Sequence, residues 1–257
     1  MRRFDLELRK LTIKYLNIKF HKIYRREYAP PMELKLGVYL TLPYLNEKLN
    51  DVLKYIDFIE FGIPTNNPKY DGPFIRKLYR ESMIKGLDVF RYSFPKFEKP
   101  LVVMAYMEDY LNNLKELFNE ASRIGAVSIL LPDLLFEYLE YLNDYINLSQ
   151  KFSMKPTFFV SSKVPYKLIL KLTTYNPLFI YLGLYATTGI KLPIHIERNI
   201  SIIKRLIGKQ HLIVGFAIDN PEIVKLVFKS GADGIVVGTA FLRVINNGID
   251  EGVKFIK

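Results

Sequence analysis

The sequence predicts an α/β fold: a single (β/α)8 TIM barrel with an additional N-terminal helical arm. Three observations lead to this prediction. Eight short apolar runs alternate with segments of helical periodicity along the chain. Each run is rich in Val, Ile, Leu, Phe and Tyr without polar alternation, which is typical of parallel strands covered on both faces. No Gly-x-Gly-x-x-Gly follows the first run, where an open dinucleotide-binding sheet would carry it.

The β/α units follow one another in order. Each apolar run is short and ends near Pro, Gly or a polar residue, as strands do. The predicted strands cover residues 36–42, 56–61, 101–106, 126–131, 157–160, 178–182, 211–215 and 234–237. The predicted helices cover residues 46–54, 74–85, 110–124, 136–152, 166–173, 196–207 and 222–229, with a last segment after residue 239. Eight strands joined by short right-handed crossovers favour a closed barrel over an open sheet.

The domain prediction is one barrel domain over residues 1–257, with a basic N-terminal arm at 1–31 and the barrel at 36–257. A chain of 257 residues with 49% hydrophobic content can bury one large core. The arm has helical spacing of its apolar residues and ends at Pro30-Pro31. Residues 1–27 hold nine basic and three acidic residues, which is +6 of the net +11. No nucleic-acid-binding motif accompanies this charge, so specific nucleic-acid binding is not expected.

Composition also excludes several kinds of site. The chain has no cysteine, which excludes disulfides, thiolate catalysis and cysteine-ligated metal. Its three histidines, His21, His195 and His211, lack metal-ligand spacing, so we expect no metal and no cofactor. No apolar run reaches the roughly 18 residues of a membrane span, and the N-terminus is charged, unlike a signal peptide. A soluble, cytoplasmic protein without membrane association is expected.

The most informative stretch lies at the second predicted strand and the loop after it. Glu60 stands inside an apolar run, and burying a carboxylate without a partner costs roughly several kcal/mol. Such a group is normally paired, protonated or used in chemistry. Asp71 follows in a Pro/Asn/Gly-rich loop, just before the predicted helix at Pro73. The alternatives are structural: Glu60 pairs with a nearby lysine, and Asp71 caps the helix.

The segments Glu60-Phe61-Gly62-Ile63-Pro64 and Asp71-Gly72-Pro73 resemble the signature of the tryptophan synthase alpha subunit family. The resemblance covers most of the chain. It includes Leu40-Thr41-Leu42, Leu131-Pro132-Asp133-Leu134, Thr188-Gly189, Gly215-Phe216 and Gly238-Thr239-Ala240. It implies a lyase of tryptophan biosynthesis that cleaves indole-3-glycerol phosphate to indole and glyceraldehyde 3-phosphate. It also implies a tryptophan synthase beta subunit as partner, and Glu60 and Asp71 as the catalytic carboxylates.

The remaining site residues come from the resemblance and from their position at carboxyl ends of strands, where such barrels place their sites. The expected indole pocket consists of Tyr39, Val103, Leu130, Tyr181, Thr188 and Phe216. The expected phosphate-binding residues are Gly189, Gly215, Ala217, Gly238 and Thr239. Glycines in these loops let backbone N–H groups approach an anion closely. Asp133 also follows a strand end.

Two further functions stay open at this point. Other barrel enzymes, such as a phosphoribosyl isomerase or an indole-glycerol-phosphate synthase, share the phosphate-site glycines. The chain also departs from the family at Ala217, where glycine is usual, at residues 65–68, and in a shortened loop before Thr188. The two altered loops are those that meet the beta subunit in the family. They therefore favour a third hypothesis, that the chain is mainly a regulatory partner of that subunit.

Overall fold

The computed structural model describes residues 35–42, 44, 49–86, 97–183, 196–215 and 218–257. The strands are β1 (Leu36–Thr41), β2 (Phe58–Gly62), β3 (Leu101–Met104), β4 (Ala126–Leu130), β5 (Phe158–Val160), β6 (Ile180–Gly183), β7 (Leu212–Gly215) and β8 (Gly234–Val237). The helices are α1 (Asn50–Leu53), α2 (Pro73–Ile84), α3 (Leu114–Arg123), α4 (Leu134–Glu137), α5 (Leu142–Lys151), α6 (Tyr166–Thr173), α7 (Ile196–Ile207), α8 (Pro221–Lys229), α9 (Thr239–Ile245) and α10 (Ile249–Ile256).

The eight strands belong to one parallel sheet with the order β4-β3-β2-β1-β8-β7-β6-β5. Its two ends meet at a parallel bridge between Leu130 and Thr157, so the sheet curls into a nearly closed (β/α)8 barrel. The strands are almost entirely buried because helices cover their outer faces and side chains fill the interior. In the described ranges, no helix has the length and apolar character needed to cross a bilayer.

The junction between β4 and β5, called the seam below, is joined by side-chain hydrogen bonds more than by backbone hydrogen bonds between the strands. The buried hydroxyl of Tyr145, on α5, donates to the Ile129 carbonyl at 2.5 Å and accepts from the Thr157 N–H at 2.8 Å. The hydroxyls of Ser128 and Thr157 lie 2.5 Å apart across the same seam. These bonds satisfy buried polar groups where only one backbone bridge joins the strands.

The eight predicted strands are confirmed, with ends that differ by one or two residues, whereas three predicted helices are interrupted. The segment at 110–124 starts with a 3-10 turn, Met107–Tyr110, before α3. The segment at 136–152 is split because Tyr138 leaves helical geometry at φ −133° and ψ 40°. The last segment breaks at Gly248, whose φ of 135° suits glycine. The predicted arm at 1–31 lies outside the described residues.

We expect Tyr145→Phe to destabilise the barrel without changing its fold. The variant leaves the Thr157 N–H buried without an acceptor, and one unsatisfied buried group costs about 1–3 kcal/mol. Urea unfolding measures the free energy of unfolding of both proteins. Tyr166→Phe on exposed α6 is the matched control and should be unchanged. If Tyr145→Phe and the parent chain were equally stable, the Tyr145 hydrogen bonds would not contribute to the stability of the barrel as predicted.

Candidate active site

A cavity lies at the carboxyl end of the barrel, with about 770 Å³ of empty volume including its open mouth. Its described lining comes from strand ends and from the loops and helix starts that follow them, as barrel active sites do. The lining residues are Tyr39, Glu60, Asp71, Ile75, Met104, Leu130, Pro132, Phe159, Tyr181, Ile218, Asp219, Val236, Gly238, Thr239 and Ala240. Most of this surface is apolar, and none of these side chains is cationic.

Glu60 is a buried carboxyl group that lines this cavity. It sits on β2 between Tyr39 of β1 and Val102 of β3, and it is 3% exposed. Its Oε2 atom is buried without a hydrogen-bond partner among the described residues. Burial raises the pKa of Glu60 to about 8, and the nearby charge of Asp71 contributes to the increase. Glu60 therefore holds a proton near neutral pH, and no lysine among the described residues forms the pair that a structural interpretation requires.

Asp71 reaches the same cavity from the loop between β2 and α2 and is also 3% exposed. Its Oδ2 atom accepts a hydrogen bond from the Tyr106 hydroxyl at 2.8 Å. Arg76 donates through Nε to the Asp71 carbonyl at 2.6 Å, which secures the backbone of the loop. Burial raises the pKa of Asp71 to about 7, although the Tyr106 hydrogen bond and Arg76 oppose that increase. Gly72 occupies the helix N-cap position, and no side chain caps α2, so Asp71 is not a capping residue.

Phenol side chains fill the barrel interior beside the two carboxyls, and two glycines make room for them. The hydroxyls of Tyr39 and Tyr79 hydrogen-bond to each other, and a Cβ at Gly62 would lie 1.9 Å from the Tyr39 hydroxyl oxygen. A Cβ at Gly215 would lie 1.8 Å from the hydroxyl oxygen of Tyr181. The absence of a side chain at Gly62 and Gly215 is therefore required by packing against phenols.

The loop that carries Asp71 is anchored to the segments that follow β3 and β4. Lys69 forms a salt bridge with Glu108 at 2.7 Å and another with Glu137. Asn67 donates through its amide to Glu108 at 2.9 Å. The Tyr70 hydroxyl donates to Glu137 at 3.0 Å. These contacts join three strand-to-helix connections at the mouth of the cavity.

Seven of the predicted site residues line the cavity. They are Tyr39, Glu60, Asp71, Leu130, Tyr181, Gly238 and Thr239. Val103 is buried but absent from the lining, and its neighbour Met104 takes that place because successive strand side chains point to opposite faces. Gly215 ends β7 but is likewise absent from the lining. The predictions for Thr188, Gly189, Phe216 and Ala217 lie outside the described residues.

Several site residues were missed by sequence reasoning. Met104 ends β3 and Phe159 lies in the middle of β5, and alternation along these strands does not by itself indicate which face turns toward the cavity. Tyr106 has no sequence signal, because its contact with Asp71 spans 35 residues of chain. Asp133 stands at a strand end for a structural reason: its carboxylate accepts from the backbone N–H groups of Met107 at 2.7 Å and Glu108 at 3.1 Å. Across the described part of the chain, no cluster of three or more His, Cys, Asp or Glu could hold a metal ion.

Comparison with known proteins gives the family. Residues 41–256 match the family model of the tryptophan synthase alpha chain. The chain belongs to this family. It is 33% identical over 236 residues to the tryptophan synthase alpha chain of Saccharolobus solfataricus, covering 86% of this chain and 94% of the relative. The alpha chain of Sulfurisphaera tokodaii is 31% identical over 238 residues, covering 88% and 96%.

Solved structures agree with the fold. A mutant tryptophan synthase alpha subunit from Pyrococcus furiosus superposes with a TM-score of 0.72 at 24% identity, covering 88% of this chain and 96% of that one. A chain of the tryptophan synthase complex of the same organism gives a TM-score of 0.71 at 24% identity, covering 88% and 96%. Family membership makes the chain an enzyme of tryptophan synthesis with the function of an alpha subunit. These matches do not favour the isomerase or synthase alternatives.

The raised pKa of Glu60 predicts a characteristic dependence of stability on pH. Because the folded protein binds this proton more tightly than the unfolded chain, the Glu60 contribution lowers the free energy of unfolding as pH rises from about 4.5 to about 8. Each pKa unit of difference corresponds to about 1.4 kcal/mol. Glu60→Gln removes this dependence, so the variant should match the parent below pH ~4.5 and exceed its stability above pH ~8.

Denaturant unfolding at several pH values measures this difference. Glu116→Gln, on the exposed face of α3, is the control and should follow the parent curve throughout. Parallel curves for Glu60→Gln and the parent chain would show that Glu60 titrates normally.

Proposed function

We propose that the chain is a lyase that cleaves indole-3-glycerol phosphate to indole and glyceraldehyde 3-phosphate by a retro-aldol step. The observation that carries the proposal is a buried Glu60 in a cavity that it shares with Asp71, with its Oε2 atom lacking a hydrogen-bond partner among the described residues. A carboxyl with a pKa near neutrality can both donate and accept a proton during one catalytic cycle. The proposal requires no metal and no cofactor, because the carboxyl of Glu60 performs both proton transfers.

Glu60 performs the proton transfers. The protonated carboxyl donates to C3 of the indole ring, which makes the ring an electron-accepting leaving group. The carboxylate that results removes the proton of the adjacent side-chain hydroxyl. As that O–H bond breaks, a C=O bond forms, and the electrons of the cleaved carbon–carbon bond return to the ring. One proton is gained at C3 and one is lost from the hydroxyl, so Glu60 ends the cycle protonated.

Asp71 stabilises the positive charge that develops on the protonated ring. Its Oδ2 atom is occupied by Tyr106, and as a carboxylate its remaining acceptor capacity can receive the indole N–H. An ionised carboxylate in a water-poor cavity provides strong electrostatic stabilisation of such a cation. Tyr39, Leu130 and Tyr181 provide apolar surface for the ring. Thr188 and Phe216 belong to the same proposed pocket by family resemblance, and Met104 takes the place that was predicted for Val103.

The phosphate is proposed to bind on the opposite side of the cavity. Gly238 and Thr239 line the cavity at the start of α9, and their backbone N–H groups are the proposed donors to the phosphate. Gly189, Gly215 and Ala217 complete the proposed phosphate site by family resemblance. Because no cationic side chain lines the described cavity, backbone N–H groups are the main available donors for the anion.

Glu60→Gln should reduce the rate of indole release by about 10²- to 10⁴-fold, the usual loss for a general acid–base group. Glutamine keeps the shape of the side chain but cannot donate and regain a proton. Steady-state assays of indole formation measure the effect, with circular dichroism to verify folding. Glu116→Gln is the surface control. Wild-type activity in a folded Glu60→Gln variant would refute the proposed mechanism.

The partner is proposed to be a tryptophan synthase beta subunit, and a cytoplasmic location is part of the same proposal. Family membership supports the partner, and so does the similarity of this chain to a chain of a solved tryptophan synthase complex. A regulatory contribution of this chain to the beta subunit is compatible with its own lyase activity.

We expect a cognate beta subunit to increase indole release by this chain. A partner docked at the cavity mouth would exclude water and strengthen the electrostatic interactions inside. The measurement compares the cleavage rate of the isolated chain with the rate at increasing beta-subunit concentration, with serum albumin as the control protein. Equal rates in both conditions would argue against regulation by such a partner.

A further inference from the structure

Two buried carboxyls, Glu60 and Asp71, share the cavity with the exposed Asp219, and the proposed chemistry requires the two buried groups in different protonation states. Glu60 must hold a proton, whereas Asp71 must be ionised to stabilise a cation. Both are 3% exposed, and burial by itself favours the neutral form of each. A specific contact must therefore make Asp71 ionise at a lower pH than Glu60.

The contact that distinguishes them is the hydroxyl of Tyr106. It donates to Asp71 Oδ2 at 2.8 Å, whereas Oε2 of Glu60 has no hydrogen-bond partner among the described residues. A hydrogen bond donated to a carboxylate stabilises its ionised form. Tyr106 itself is almost fully buried, so water does not compete for this bond.

The hydrogen bonds of the Tyr106 hydroxyl direct its proton toward Asp71. The backbone N–H of Tyr70 donates to the same hydroxyl oxygen at 3.1 Å, so the phenol proton remains available for Asp71. The Tyr106 ring lies parallel to that of Tyr70, with an interplanar angle of 3° and centroids 6.2 Å apart. The next two residues, Met107 and Glu108, are bound through their backbone N–H groups to Asp133. The position of Tyr106 is thus fixed by contacts of its side chain and of the backbone that follows it.

Other charged or titratable groups near Asp71 do not provide the same distinction. Arg76 donates through Nε and Nη2 to the carbonyls of Asp71 and Lys69, at 2.6 Å and 3.1 Å, and has no hydrogen bond to the carboxylate. The other groups that act electrostatically on the pair are phenols from β1, α2 and β6. They are Tyr39, Tyr79 and Tyr181. Burial raises the pKa of each of these phenols, so all three stay neutral.

We propose that Tyr106 is a positioning residue that sets the order in which the two carboxyls ionise, keeping Asp71 ionised while Glu60 retains its proton. This inference rests on the proposed lyase function for its catalytic meaning. The ionisation order itself is a property of the free protein. The negative charge of Asp71 in turn opposes ionisation of Glu60, so the two groups titrate as a coupled pair.

The test compares the parent chain, Tyr106→Phe and a chain with 3-fluorotyrosine at position 106. Phenylalanine keeps the ring and removes the donor, so Asp71 should ionise at higher pH. The acid limb of kcat/KM for indole-3-glycerol phosphate should then rise by about one pH unit, with about fivefold lower activity at pH 7. The fluorinated phenol is a stronger donor and should move the acid limb the other way. Tyr166→Phe is the surface control.

Carboxyl-carbon NMR titration of the free protein gives a readout that does not depend on catalysis, with Glu60→Gln and Asp71→Asn used to assign the signals. A rise in the Asp71 midpoint in Tyr106→Phe supports the inference even if the parent chain fails to cleave the substrate, an outcome that would refute only the proposed function. An unchanged Asp71 midpoint overturns the inference, whether activity is retained or falls equally at all pH values. If Tyr106→Phe does not fold, the Asp71 midpoint of the fluorotyrosine protein is the deciding measurement. A lower midpoint than in the parent chain supports the inference, and an unchanged midpoint overturns it.

Discussion

The burial of two carboxyl groups in a cavity without a cationic side chain is the constraint on which the described site depends. A parallel barrel is apolar on both faces of its strands, so Glu60 cannot be solvated from β2. A lysine beside Glu60 would pair with it, lower its pKa and make it a poor proton donor near neutral pH. The absence of such a partner in the described lining is therefore a chemical feature of the site.

Neutral phenols surround the carboxyls in place of cations. A tyrosine hydroxyl can donate to a carboxylate without adding a compensating charge, so Tyr106 stabilises Asp71 and leaves the acidity of Glu60 largely to burial. Phenols are large, and the barrel accommodates them because Gly62 and Gly215 have no side chain at the points of closest approach. The same tyrosine side chains thus provide polar groups to the site and fill the barrel interior.

The loop that carries Asp71 is held by contacts of a different kind. Lys69 and its acidic partners, Glu108 and Glu137, are partly exposed, and such pairs contribute little to the stability of a folded chain. Their effect is geometric, because they join the connections after β2, β3 and β4 near the cavity mouth. Asp133 strengthens the same region by binding backbone N–H groups after β3. Asp71 is thereby placed by neighbouring β/α units as well as by its own.

The sequence by itself determined the eight strands, their parallel arrangement and the two carboxylates at the second unit, because these depend on local composition, periodicity and a short motif. It did not determine which neighbour faces inward, as Val103 and Met104 demonstrate, because that choice follows from strand register. It also missed Tyr106 and the packing reason for Gly215, since each contact joins residues more than 30 positions apart. Only the closed barrel brings those residues together. Burial there favours the protonated form of both carboxyls, and the Tyr106 hydrogen bond favours ionisation of Asp71.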